Sequence, residues 1–144
     1  MRGGAGGVAV AAARAFDAPE PEALRPLGAA YGVAGLLRAA PFLAVHGRCL
    51  LPAELLAAQG LSAEAAIAAP GSQAVQAVLA QLADEGRAWL RQGLMAPPRS
   101  STLAAALPAV LARRDLARWP AVAPAHRGIG DRAAVAIAGL RGRL

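Results

Sequence analysis

An all-α fold, a single helical bundle, is what this sequence predicts, and three observations carry the prediction. Alanine, the strongest helix former, supplies more than a quarter of the 144 residues. Phe, Trp and Tyr number five together, too few to support β-rich packing. The best-patterned stretch, residues 72–95, repeats its apolar positions every three or four residues. Val75, Val78, Leu79, Leu82, Gly86, Trp89, Leu90 and Gly93 form one stripe, with Asp84, Arg87 and Arg91 off it. A chain of this length is expected to form one domain over 1–144 around one core, burying roughly 70% of its unfolded surface.

Taken in order, the first stretch, RGGAGGVAVAAARAFDA, reads as a helix that needs packing partners, since each glycine in it costs about 1 kcal/mol relative to Ala. It lacks the leucine-rich centre of a secretory signal, and its glycines lack the preceding strand and following Lys-Ser/Thr of a phosphate loop. Residues 17–26 form a turn: Pro19 and Pro21 favour extended backbone, and Glu20 and Glu22 suit a helix N-terminus. The organising helix covers 27–45. Its positions Gly32, Gly35, Ala39 and Leu43 step by three and four and share a face without a polar side chain. The run is almost long enough to span a bilayer, but Arg38 at its middle would cost about 2.5–3.5 kcal/mol there, so a core helix of a soluble bundle is expected. Pro41 removes a backbone donor and should kink this helix or end its regular part.

His46-Gly47-Arg48 closes the helix. Pro52 is expected to open a short one at its first position, with Glu54 in the first turn and Gly60 at the end. Ser62-Ala63-Glu64 begins another, stopped by Pro70-Gly71, and Ser72 caps the long periodic helix. Asp84 and Glu85 point about 100° apart and read as a solvated face. Pro97-Pro98-Arg99-Ser100-Ser101 is the clearest break. A helix resumes over 107–119, with Pro108 tolerated in its first turn and Arg114 and Arg118 one turn apart. Arg113, Arg114, Arg118 and Trp119 could touch a membrane surface, but Val110, Leu111 and Leu116 give the helix a face to bury, which favours a solvated bundle helix. After the loop PAVAPAHRGIG, Asp131 is expected to cap a last helix reaching about Gly142.

Composition excludes several functions. The net charge of +6 comes from fifteen Arg and no Lys, spread along the chain without the aromatic interleaving or finger motifs of nucleic-acid binders, so no nucleic-acid partner is expected. The single cysteine, Cys49, reads as a small core residue, and with His46 it supplies only two potential zinc ligands; His126 stands in a loop. No GxSxG elbow or Cys-His pair with nucleophile context occurs, and nine acids in the whole chain leave a hydrolase unsupported.

The stretch LGAAYGVAGLLRAAPFLAVHGRCLLP, with PAELLAAQGLS overlapping its end, resembles the second signature region of the squalene/phytoene synthase family, whose members join isoprenoid diphosphates head to head in an all-helical terpenoid-synthase fold. Leu27-Gly28, Leu36, Arg38, Gly47-Arg48 and Pro52 match the family pattern in register without a gap. The departures fall where the chemistry should be. The pattern's Gln and Asn stand as Gly32 and Gly35, its two acids as Ala39 and Leu43, and its aromatic as Leu50. In active relatives the acids hold magnesium against the substrate diphosphate; Ala39 and Leu43 offer no oxygen, so neither a metal nor a cofactor is expected here, and no catalytic residue is assigned. Arg38 and Arg48 survive as the residues able to contact a diphosphate, because a guanidinium recognises phosphate bidentately without a metal.

The resemblance covers the family's C-terminal half, which implies a partial terpenoid-synthase bundle. It is also similar to the complex I assembly-factor branch of proteobacteria and mitochondria, where the matching helix likewise ends in LLR before apolar residues. The leading expectation is therefore a catalytically degenerate family member acting as a scaffold or assembly factor, cytoplasmic or peripheral to the inner face of the membrane. It would bind an isoprenoid or other apolar ligand, and would dock on a protein partner or self-associate through an exposed apolar face. The alternatives are a fragment of an active magnesium-dependent prenyltransferase and an unrelated helical interaction module.

Overall fold

The computed structural model describes residues 4–15, 17–18, 20–96, 98–121 and 127–144, and among them every regular element is helical. The α-helices are α1 Ala5–Ala15, α2 Arg25–Val45, α3 Ala53–Ala58, α4 Ala63–Ala68, α5 Gln73–Leu94, α6 Leu103–Ala106, α7 Pro108–Arg118 and α8 Ile129–Arg141. Short 3-10 turns, Pro21–Leu24 and Ser100–Thr102, lead into α2 and α6.

The hub is α2, which packs against α1, α4, α5 and α7. Its first half is enclosed on most sides: Leu27, Ala29, Ala30, Val33, Ala34, Leu36 and Leu37 are all buried, more than a single stripe would supply. The second half opens outward, with Phe42 and Val45 exposed. Thus α2 meets the length and apolarity of a membrane span, yet its N-terminal half is a core helix of the bundle. Pro41 does not end it. Helical geometry continues to Val45, and the proline removes only the donor that the Leu37 carbonyl would have used.

Small residues let the helices approach closely. A Cβ built at Gly28 would stand 2.5 Å from the Ala9 Cβ and 2.7 Å from the Ala5 carbonyl oxygen, so α1 lies backbone to backbone on α2. Here the glycine-rich first helix finds the partner it requires. On the other side, α5 buries Val75, Val78, Leu79, Leu82, Ala83, Gly86, Leu90 and Gly93, the predicted stripe with Ala83 added and Trp89 half-buried. Ser72 caps α5 as expected, its Oγ accepting from the Val75 N–H.

Two local expectations are corrected. Pro52 is the residue before α3 (φ −58°, ψ 129°) instead of its first helical residue, because extended ψ there lets it act as the boundary. The last helix has Gly128 at its N-cap, and Asp131 sits inside the first turn, buried, turned away from capping by the arginines described below. The break after α5 holds, since α5 ends at Leu94; Pro97 and His126 lie outside the described residues.

Candidate functional site

Helix α2 ends in a turn built for a glycine. Gly47 has φ +66°, the Gly47 N–H donates to the Ala44 carbonyl at 3.0 Å, and the Arg48 N–H donates to the Leu43 carbonyl at 2.8 Å. This closure turns the chain back beneath the open end of α2, so that Arg48, Cys49, Leu50 and Leu51 face α4 and the start of α5. Between them lies a cavity of about 320 Å³. Leu43, Leu51, Ile67, Val75 and Leu79 supply apolar lining, while Arg48 and Gln76 are its long polar side chains. The Gln76 amide donates to the Pro70 carbonyl at 3.2 Å, and Arg48 is the cationic residue of the lining. Cys49 is half-buried in the lining, as a small core residue would be. His46 stands outside it, its ring tilted 38° against that of Phe42 with centroids 4.2 Å apart.

The four residues singled out from the sequence do not converge. Leu43 and Arg48 line this cavity; Arg38 and Ala39 are not among its lining residues and lie half-buried further back along α2. Of the glycines on the predicted face, Gly32 abuts Ala5 of α1, whereas a Cβ at Gly35 would meet open space. The face is therefore divided between a helix contact and a cavity. A site of this kind can hold an apolar molecule and offer one cation to its polar end. The side chains of Ala39 and Leu43 have no oxygen or nitrogen with which to fit magnesium, and no group of three His, Cys, Asp or Glu gathers among the described residues.

A second cluster escaped the sequence reading. Asp115 of α7 and Asp131 of α8 are 7% and 5% exposed, depths at which a carboxylate needs partners. Arg127 donates to both oxygens of Asp115, at 2.9 and 2.8 Å. Asp131 Oδ1 accepts from Arg114 Nε at 2.7 Å and from Arg118 Nη2 at 3.0 Å. The Arg118 and Arg114 hydrogen bonds outweigh burial and hold the Asp131 carboxyl down at about 2. Three guanidiniums on two carboxylates form a structural clasp between α7 and α8. Arg114 and Arg118 are thereby engaged in the clasp, with their side chains 35% and 38% exposed. The hint in the sequence was spacing: Arg114/Arg118 and Arg127/Asp131 are each four residues apart, which places each pair on one helical face or at its entry.

Comparison with known proteins adds one positive finding. No curated protein and no solved structure matches the chain. The family model described as squalene/phytoene synthase matches residues 1–125, which take in the helices from α1 to α7 and the whole cavity. With an all-helical bundle and the motif positions on α2 and its C-terminal turn, this chain belongs to the squalene/phytoene synthase family.

Proposed function

We propose that this family member is catalytically degenerate and works by binding: it holds an isoprenoid-like or other apolar molecule beside α2 and serves as a scaffold or assembly component. One observation carries the reading. Leu43, at the position where active relatives have the second acid, is part of the apolar lining of the cavity, which supports a site without the carboxylate that magnesium would need there. Ala39 removes the other acid. Arg48 remains beside the cavity and would hold the anionic end of a ligand. The resemblance of the LLR segment to the assembly-factor branch supports the scaffold role. Phe42, Val45 and Leu50, 64%, 83% and 56% exposed at the open end of α2, offer an apolar surface for a protein partner or a second copy. A cytoplasmic location, peripheral to the inner face of the membrane, suits a protein whose ligand partitions into lipid.

The test has two arms. Incubation with farnesyl or geranylgeranyl diphosphate and magnesium should yield no C30 or C40 product, while farnesol should bind with heat measurable by calorimetry. Filling the cavity with Leu79→Trp should abolish that heat. Magnesium-dependent product formation would instead establish the prenyltransferase reading, and farnesol heat unchanged in Leu79→Trp would remove the cavity from the function.

A further inference from the structure

We propose that the outward face of α8 is a docking surface for an anionic lipid bilayer. This rests on the peripheral location proposed above and supplies the element that would perform it. The helix is inverted relative to an ordinary surface helix. Its inward side presents Asp131 and Ala138 to α7, and these are its buried residues. Its outward side presents Ile129 and Leu140, 86% and 88% exposed, with Ala133, Ala136 and the half-exposed Ile137 between them. At 100° per residue, positions 129, 133, 136, 137 and 140 fall within an arc of about 100°, and Arg132 and Arg141 fall on its two edges. An apolar stripe edged by arginines on both sides is the pattern of a helix lying in a membrane interface, apolar side down and guanidiniums level with the headgroups.

Charge favours lipid over a neutral protein surface. Residues 86–144 contain ten Arg and two acids, Asp115 and Asp131, a balance of +8; residues 1–85 contain five Arg and seven acids, a balance of −2. Both acids of α7 and α8 are buried in the clasp, so the exposed charged residues of these two helices, Arg113, Arg118, Arg132 and Arg141, are all cationic. The arginines are spread in sequence, but the acids that would offset them are not. An anionic leaflet attracts such a surface at about fivefold in affinity for each Arg near it. The helix also lies beyond the residues that the family model matches, so its outward face is a feature of this chain and not of the matched family segment.

Flotation of the full chain with vesicles of phosphatidylcholine alone, or mixed equally with phosphatidylglycerol, tests the assignment. The chain should float with the mixed vesicles only, and added salt should release it. Ile129→Asp/Leu140→Asp, and separately Arg132→Glu/Arg141→Glu, should each lower binding more than tenfold while leaving helicity by circular dichroism and farnesol binding unchanged. If both variants float as the wild type does, the α8 assignment fails and the peripheral location stands. If the wild type floats with neither vesicle, both fail. If the wild type sediments as a dimer that Ile129→Asp/Leu140→Asp dissolves with flotation unchanged, the face joins copies of the chain and the lipid assignment is overturned.

Discussion

Replacing Gly28 with Ala adds one methyl group at the tightest contact between α1 and α2, and the structure sets the size of the effect. The new Cβ would lie 2.5 Å from the Ala9 Cβ and 2.7 Å from the Ala5 carbonyl, against the ~3.5–4.0 Å that carbon atoms prefer. Neither neighbour can rotate aside, because one is a Cβ and the other backbone. Helix α1 must therefore withdraw by about 1 Å, loosening Ala9 and Ala13 from the core; overpacking of this kind costs about 1–3 kcal/mol. Alanine gains about 1 kcal/mol in helix propensity, so the net loss is about 0–2 kcal/mol, or a fall of up to about 8 °C in Tm. Gly35→Ala, two turns further along the same helix, is the control: nothing lies within 4 Å of its Cβ, and the same propensity gain should raise Tm by about 2–4 °C. Thermal melts followed by circular dichroism, with urea titrations for the free energies, compare the two. Equal melting temperatures, or a Gly28→Ala protein more stable than Gly35→Ala, would refute the argument that the α1–α2 spacing is fixed by the absent side chain.

Three further outcomes follow from the site and the clasp. The Asp131 carboxyl is depressed from 3.8 to about 2, so its contribution is complete above 3.8 and is lost as pH falls through about 2. With screening at the partly exposed guanidiniums it amounts to about 1 kcal/mol, and acid titration of Asp131→Asn should lack that component. Ala39→Asp/Leu43→Asp should restore no magnesium-dependent condensation and should lose about 2 kcal/mol of stability through the carboxylate placed in an apolar wall; product formation would contradict this. Arg48→Ala should weaken calorimetric binding of inorganic diphosphate, and an unchanged titration would remove Arg48 from anion binding.

Much of the fold could be read from the chain because local signals agreed with global packing. The α5 stripe, the Ser72 cap and the Gly47 and Gly60 endings are set by periodicity and by positive φ, properties that short stretches carry by themselves. Enclosure was harder to read. In the first half of α2, alanine and leucine are buried on nearly every side, so no stripe distinguishes one neighbour from another. The site was legible only as motif positions. That Leu43 and Arg48 share a cavity while Arg38 and Ala39 do not depends on the chain reversal at Gly47, which brings α4 and the start of α5 beneath one end of the helix. Asp131 was misread because a carboxylate early in a helix fits a cap and a buried ion pair equally well; the deciding partners, Arg114 and Arg118, lie 17 and 13 residues away.

The clasp also gives α8 a different thermodynamic character from the rest of the bundle. Only Asp131 and Ala138 of that helix are buried, so its attachment depends heavily on ionised pairs and little on apolar area. Amide hydrogen exchange should show this as a separate cooperative unit, with α8 opening at a lower free energy than α2 or α5. Salt should speed exchange at the amides of α8 while leaving those around Val33 and Val78 at the global rate. The last helix would then be able to leave α7 and return without unfolding the core, a freedom that helices held by Leu27, Leu82 and Leu116 do not have.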